Sequence, residues 1–212
     1  MESKSSRSFK IFIVFFLLFL FLTFVIQLSF VYQLNASFLK MIQICHLQIF
    51  NYGLIPFVAI GSVEISVSAF LFLSVVFYRR KEFQKAYLVL AVLLVGTATE
   101  FFLKQNIHHP RIPLEYRGRF PIIPILGSIE FETENSFPSG HSFRSMFLFG
   151  ILFIWTSVVR HRKIFLWLVG IYLGVQLIAM NYYGFHWASD VIGGYYLAGL
   201  SLYLLKYVMR YK

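Results

Sequence analysis

The chain has 212 residues, of which 58% are hydrophobic and only 13% are charged. An ordinary soluble domain carries about 25% charged residues, so a soluble globular protein is excluded, and the high hydrophobicity also excludes intrinsic disorder. The single cysteine excludes an intrachain disulfide framework, and the net charge of +10 is expected in the loops of a membrane protein rather than in a nucleic-acid-binding surface.

Six apolar stretches are long enough, or nearly so, for the roughly 20 residues that a membrane-spanning helix needs. The first follows basic residues, as a secretory signal would, but its apolar run is too long for one and no small-residue cleavage site follows. We therefore expect a retained anchor helix and an all-α bundle of six transmembrane helices, formed by one domain over residues 1–212. The expected helices cover residues 9–32, 53–78, 86–103, 142–159, 164–180 and 188–207.

Short basic segments predict the orientation of this bundle. They come before the first helix, after the second, after the fourth and after the sixth, so six spans put all of them on one side. The positive-inside rule makes that side cytoplasmic, and we expect an integral protein of a bacterial inner membrane with both termini in the cytoplasm. The basic residues concerned are Lys4, Arg7, Lys10, Arg79, Arg80, Lys81, Lys85, Arg160, Arg162, Lys163, Lys206, Arg210 and Lys212.

On this topology the long connection at residues 104–140 faces outward, and its prolines and scattered charges do not fit the membrane interior. Near its end, Pro138-Ser139-Gly140-His141 comes directly before the fourth expected helix. The first N–H groups of a helix have no internal partner and readily bind an anion, which His141 would then adjoin. The alternative is that Ser139 simply caps the helix.

A second pattern begins the sixth expected helix, where His186 and Asp190 lie four residues apart and so share a face of one turn. A carboxylate placed in this way holds the imidazole in one tautomer and stabilises its charged form, as a histidine nucleophile or base requires. The alternative is an interfacial histidine that a neighbouring acid merely caps.

A third pattern is the pair Lys104 and Arg111 at the end of the third expected helix. Lysine offers a point charge and arginine a planar fork that suits phosphate oxygens, although basic residues at helix ends often snorkel to headgroups. The three patterns share one membrane face, which favours a common anion site. Two histidines and an aspartate are potential zinc ligands, but the adjacent cations oppose a metal, and we expect neither a metal nor another cofactor.

Together these residues resemble the three-part signature of the type 2 phosphatidic acid phosphatase superfamily of membrane lipid phosphate phosphatases. The family's first motif, Lys, six residues, Arg-Pro, matches Lys104 and Arg111, with Pro113 one place late, and the second, Pro-Ser-Gly-His, is intact at residues 138–141. In the third motif, His186 and Asp190 match. The resemblance covers about residues 100–195.

The Ser-Arg pair of the third motif is replaced by Ala179 and Met180. The family arginine is a phosphate ligand, and losing one such electrostatic contact costs on the order of 10²- to 10³-fold in rate. Arg144, three residues after His141 on the same helical face, is our candidate substitute. Alternatively, Arg144 snorkels outward or pairs with an acid: Glu100, Glu132 or Glu134.

The resemblance implies a metal-independent hydrolase of a phosphomonoester or diphosphate. His186 would attack phosphorus and form a phosphohistidine, Asp190 would orient it, and His141 would protonate the leaving oxygen. The groups that would hold the phosphoryl oxygens are Lys104, Arg111, the Ser139 hydroxyl and the Gly140 amide, joined on our hypothesis by Arg144.

Other polar residues have plainer interpretations. Glu64 is expected to face the bundle and to be hydrogen-bonded or protonated, and Glu100 to pair with Lys104 four residues later. Asn35-Ala36-Ser37 matches a glycosylation acceptor, a match that is frequent by chance. Four loop residues fit headgroup binding and loop solvation equally well: His108, His109, Arg117 and Arg119.

A site at the mouths of membrane helices lies at headgroup level, where an amphiphile arrives by lateral diffusion. The expected partners are therefore the bilayer and a phosphorylated lipid, and no nucleic acid. Candidate substrates are a polyprenyl diphosphate, phosphatidic acid, phosphatidylglycerol phosphate and a lipid A phosphate. The alternatives are a lipid phosphotransferase that uses an acceptor hydroxyl, and a non-catalytic lipid-binding or transport relative.

Overall fold

A computed structural model describes residues 4–44, 48–121, 133–155 and 161–210, and in these residues the regular structure is helical. This confirms the all-α class. A 3₁₀ turn at Leu114–Tyr116 lies in the connection after α6. The helices are α1 Lys4–Val25, α2 Ser29–Ile44, α3 Gln48–Gly53, α4 Ile55–Ala59, α5 Val63–Arg79, α6 Phe83–Asn106, α7 Gly140–Trp155, α8 Arg162–Tyr182 and α9 Ala188–Arg210.

Five helical segments in the described part of the chain are long and apolar enough to cross a bilayer, as in an integral membrane protein. Five of the six expected helices overlap them. The other is α7, which has 16 residues, and residues 156–159, its expected end, lie outside the described residues, so the count of six spans stays a prediction. The five segments are Ser8–Val25, Ile49–Arg79, Phe83–Asn106, Arg162–Tyr182 and Ala188–Met209.

The first expected helix, 9–32, is interrupted, because α1 ends at Val25 and α2 begins at Ser29. Just before the break, the Thr23 hydroxyl donates to the carbonyl of Leu20 at 2.7 Å, and the Gln27 amide donates to the carbonyl of Thr23 at 3.0 Å. Such side-chain bonds compete with the regular helical pattern. The chain therefore turns and starts a separate helix that the hydropathy pattern did not reveal.

Helix α2 packs against α8 and α9. Its buried residues Asn35, Leu39 and Gln43 recur every fourth position and form one face. The Asn35 amide group donates to the Ser189 hydroxyl at 2.7 Å, and its carbonyl accepts from the Ser189 backbone N–H at 3.2 Å. Asn35 is thus 4% exposed and hydrogen-bonded to the first turn of α9, which argues against a glycosylated asparagine in the folded protein.

The second expected helix, 53–78, is also broken, and its main part starts at Val63 after a turn at Gly61 and Ser62. The Ser62 hydroxyl accepts from the backbone N–H of Ile65 at 3.4 Å and caps α5. A side chain at Gly61 would collide with the backbone of His141. Glycine at this position therefore allows the start of α5 to touch the start of α7.

Helix α7 lies at the centre of the bundle and packs against α5, α6, α8 and α9. Its buried residues Phe143, Phe147 and Ile151 share one face and form the main apolar core with the other helices. Phe143 meets α6 at Gly96, where a side chain would occupy the space of the Phe143 ring. Small residues at such crossings let membrane helices approach closely, and here they fix the depth and direction of the α7 N-terminus.

Candidate active site

The three sequence patterns converge at one end of the bundle. The α7 N-terminus, the turn before α9 and the C-terminal end of α6 surround a cavity of about 580 Å³. Six of the eight predicted site residues line it, and the other two, Ser139 and Asp190, are fully buried in the structure. The six lining residues are Lys104, Arg111, Gly140, His141, Arg144 and His186.

The turn before α7 is fixed by contacts to α9. The backbone N–H of Ser139 donates to the Asp190 carbonyl at 2.9 Å, and the Ser139 hydroxyl accepts from the Ser142 N–H at 3.4 Å and from the Ser142 hydroxyl at 3.1 Å. Ser139 therefore does cap the helix, as in the plainer interpretation. At the same time this cap directs the first turn of α7, with Gly140 and His141, at the cavity.

His186 and Asp190 form the dyad that their spacing predicts. The Nδ1 atom of His186 lies 3.3 Å from Oδ2 of Asp190, and the same oxygen accepts from the Trp187 N–H at 3.0 Å. With Nδ1 held by the carboxylate, the second ring nitrogen, Nε2, is the one that can present a lone pair to a ligand. The His141 ring is 6.5 Å from the His186 ring, centre to centre, and both histidines line the same cavity.

The protonation state of His186 suits a nucleophile. Burial lowers the pKa of His186 below its ordinary value of 6.5, the bond to Asp190 opposes this in part, and the nearby Lys104 lowers it further. The imidazole is consequently neutral at pH 7. A neutral ring is required for Nε2 to attack an electrophile.

The cations of the cavity are organised around one carboxylate. Lys104 Nζ lies 2.8 Å from Glu100 Oε1, which confirms the expected pair one helical turn apart. Arg144 lies 3.4 Å from Glu100 Oε2 and donates its Nε–H to the carbonyl of Gly61 at 2.9 Å. The alternative pairing of Arg144 with Glu100 is therefore present in the structure, and Glu132, another candidate partner, lies outside the described residues. Arg144 is only 6% exposed and still lines the cavity.

The position of the missing family arginine is apolar. Met180 is fully buried in a cluster with Val58 and Val191, and its carbonyl accepts from the N–H groups of Phe185, at 2.9 Å, and His186, at 3.4 Å. Its backbone thus supports the turn that carries His186. Its thioether contributes no charge to the cavity.

The cavity also has lining residues from α5 and α6, and most of these are apolar. One cavity therefore combines charged and apolar lining. The apolar lining residues are Val63, Val67, Leu94, Ala98 and Phe101.

The loop residues that fitted either headgroup binding or loop solvation have different environments in the structure. Arg117 lines the cavity and donates its Nε–H to the Ile112 carbonyl at 2.7 Å. Arg119 donates to the Gln43 carbonyl at 2.9 Å and lies over the Tyr182 ring, so it joins the loop to α2 and α8. His108 is exposed. Glu64 interacts electrostatically with Arg144, consistent with the expectation that it faces the bundle.

His109 was considered for headgroup binding or loop solvation, and its contact with Asp190 was not predicted from the sequence. Its side chain is 2% exposed, and its Nδ1 lies 2.9 Å from Oδ1 of Asp190, so loop solvation does not describe it. The signal in the sequence was its place directly before Pro110 within the first motif. Its partner comes much later in the chain, and spacing alone could not reveal the contact.

Comparison with known proteins agrees with this geometry. Residues 84–212 match the family model described as "PAP2 superfamily". Among solved structures, the chain is similar to "the first transmembrane PAP2 type phosphatidylglycerolphosphate phosphatase from Bacillus subtilis", with a TM-score of 0.77 and 22% identity, covering 95% of this chain and 97% of that one. At this identity the similarity concerns the fold. The search of curated proteins found no match.

Proposed function

The chain belongs to the PAP2 superfamily, and on this basis we propose that it is a membrane lipid phosphatase. It hydrolyses a phosphomonoester or diphosphate on a lipid through a phosphohistidine intermediate, without a metal. The observation that carries this proposal is the His186–Asp190 dyad, which faces His141 across a cavity lined by Lys104, Arg111 and Arg144.

In the proposed first step, Nε2 of His186 attacks phosphorus, a P–N bond forms, and the bond from phosphorus to the leaving oxygen breaks. Burial and the nearby Arg144, His186 and Lys104 hold the pKa of His141 well below 6.5, so in this proposal the proton enters with the substrate. His141 takes it from the phosphate monoanion and donates it to that oxygen, and the lipid leaves as an alcohol, or as a monophosphate when the substrate is a diphosphate. Asp190 stabilises the positive charge that develops on the His186 ring. In the second step, water gives its proton to His141 and attacks phosphorus, and the P–N bond breaks to release inorganic phosphate.

Charge on the phosphoryl oxygens is stabilised by cations and by the start of α7. Two of the cations are Lys104 and Arg111. The third is Arg144, which supplies the charge that the family arginine would supply at the position of Met180. The Gly140 N–H lies in the first turn of α7, where unpaired N–H groups favour an anion. The Ser139 hydroxyl, which caps this turn, completes the proposed set.

A lipid substrate is supported by the apolar residues that α5 and α6 contribute to the same cavity. A soluble phosphate ester would not use these apolar contacts. Our candidate lipids remain a polyprenyl diphosphate, phosphatidic acid, phosphatidylglycerol phosphate and a lipid A phosphate. The crystal structure with the similar fold, a phosphatidylglycerolphosphate phosphatase by its description, makes phosphatidylglycerol phosphate a natural first member of a test panel.

The proposed setting is a bacterial inner membrane, with six spans, both termini in the cytoplasm and the site on the outer face. The four basic segments support this orientation. The proposed absence of a metal rests on the cations beside the histidines, since Lys104 and Arg144 would repel a divalent ion there.

The test is release of inorganic phosphate from a panel of these lipids by the purified protein. We expect release from at least one lipid, abolition by His186→Ala, and no effect of EDTA. Activity that survives His186→Ala contradicts the mechanism, and inhibition by EDTA contradicts metal independence. Transfer of phosphate to an added acceptor lipid would identify a phosphotransferase, and neither release nor transfer by the wild type would favour a non-catalytic relative.

A further inference from the structure

We propose that His109 is a positioning residue for the catalytic dyad: it holds the carboxylate of Asp190 in the orientation in which Oδ2 faces Nδ1 of His186. This inference rests on the proposed function. It concerns a contact that the three family-like motifs do not include, because His109 lies between the two basic residues of the first motif and is not one of them.

The geometry of Asp190 is the first argument. Its two oxygens have separate partners: Oδ2 meets His186 Nδ1 at 3.3 Å and the Trp187 N–H at 3.0 Å, whereas Oδ1 meets His109 Nδ1 at 2.9 Å. The contact to His109 is thus shorter than the contact to His186. Contacts on both oxygens prevent the carboxylate from rotating about its Cβ–Cγ bond.

The second argument is that His109 is itself held from several sides. Its backbone N–H donates to the Asn135 side chain at 3.0 Å, and its carbonyl accepts from the Ser136 N–H at 2.8 Å. The Ser136 hydroxyl donates to the His109 carbonyl and lies 3.1 Å from Nδ1, so its oxygen and Oδ1 of Asp190 both approach the same ring nitrogen. The Ser189 hydroxyl lies 3.5 Å from Nε2. Such a network fixes the ring in one orientation, which is the property a supporting residue needs.

Aromatic rings close the remaining sides of His109. Phe137 and Trp187 both approach it edge to face, with ring centres 6.4 and 6.5 Å away. These two residues directly precede the turn at residues 138–141 and follow His186, respectively. His109 therefore joins the loop after α6 to both segments that carry the catalytic histidines.

The chemical consequence follows from the sharing of one carboxylate. The His109 ring beside Oδ1 stabilises negative charge on that oxygen, which limits how strongly Oδ2 attracts the proton of His186. The other ionisable groups that act on His186 are Lys104 and Glu100 of α6 and His141 of α7. Removing the His109 ring should therefore misalign the dyad and also raise the pKa of His186.

The first measurement compares two amides at this position. The amide nitrogen of asparagine occupies the place of Nδ1 and keeps the donor to Asp190, whereas that of glutamine occupies the place of Nε2. We expect His109→Gln to lower kcat by up to about 10²-fold with little change in KM, because a small misplacement of a catalytic group has an effect of this size. His109→Asn should retain most of the kcat. His108→Asn, at the exposed neighbour, is the matched control and should behave as wild type.

The second measurement needs no substrate. In detergent-solubilised protein with isotopically labelled histidine, NMR titration should show a higher pKa of His186 in His109→Gln than in wild type and His109→Asn. An unchanged titration, or equal loss of kcat in both amide variants, would overturn the proposal. If wild type releases no phosphate from any lipid, the proposed function fails while the titration still decides the role of His109.

Discussion

Asp190 lies close to the Nδ1 atoms of two histidines, His186 at 3.3 Å and His109 at 2.9 Å, and only the first of these contacts was predictable from the sequence. His186 and Asp190 were predictable because they lie within one helical turn, where spacing determines proximity. Glu100 and Lys104 were predictable for the same reason. The contact between His109 and Asp190 joins a loop to a helix that is distant in sequence. No local pattern encodes such a contact.

Arg144 carries the prediction that is most particular to this chain. Replacing it with alanine should lower kcat/KM about 10²- to 10³-fold, because a buried cation that contacts the phosphoryl group is lost. Lysine should retain part of the activity, since it keeps the charge but not the planar fork. Steady-state kinetics of the purified variants provide the measurement.

The control for Arg144 is Arg162→Ala, since Arg162 is exposed at the opposite end of the bundle and donates to the Phe153 carbonyl at 3.0 Å. It should leave kcat/KM unchanged. Near-normal turnover of a folded Arg144→Ala protein would remove Arg144 from the site and leave only its structural pair with Glu100.

His186 makes a prediction about pH. Activity requires the neutral ring and is lost as the pH falls through its pKa, and because burial lowers the pKa of His186 from 6.5, the acid side of the kcat/KM profile should have its midpoint below pH 6.5. Lys104→Gln removes a charge that lowers this pKa, so the midpoint should move to higher pH. Wild type and Lys104→Gln are compared on the same lipid, so that ionisation of the substrate affects both profiles equally. A midpoint that stays unchanged or moves to lower pH would contradict the assignment of this ionisation to His186.

At the scale of helices, five of the six apolar stretches predicted from hydropathy overlap candidate membrane spans, in the predicted order, but hydropathy did not reveal their interruptions. The break between α1 and α2 arises from side-chain bonds of Thr23 and Gln27 to backbone carbonyls, and the break before α5 from the contact of Gly61 with α7. The two breaks depend on local hydrogen bonds or on tertiary contacts. The length of an apolar stretch contains no information about either kind of interaction.

The start of α7 depends on a glycine, which gives a second test at this scale. A side chain at Gly140 would overlap the carboxylate of Glu100, and this carboxylate is already held by Lys104 and Arg144. Gly140→Ala should therefore displace Glu100, separate the two cations and lower kcat/KM by about 10²-fold or more.

Gly174→Ala in α8 is the matched control for Gly140→Ala, because no atom lies within 4 Å of the added methyl group. It should keep wild-type activity. Equal kinetics of both alanine variants would show that the close approach of α6 and α7 has no catalytic consequence.

The whole molecule has a polar cavity at one end of the bundle, and the proposed topology, with the four basic segments in the cytoplasm, can be tested by labelling. In a background without Cys45, single cysteines replace Gln33 of α2 and Gln84 of α6, both exposed. A membrane-impermeant maleimide added to spheroplasts should label position 33, and should label position 84 only after permeabilisation. The reverse pattern would place the site in the cytoplasm.

Capture of the phosphohistidine tests directly whether phosphate passes through His186. The purified protein is mixed briefly with a radiolabelled lipid phosphate that it hydrolyses and is then denatured in alkali, in which a phosphohistidine survives. We expect protein-bound phosphate on the peptide that contains His186, released by acid and absent from His186→Ala. Turnover with no bound phosphate, or label on another residue, would contradict this mechanism.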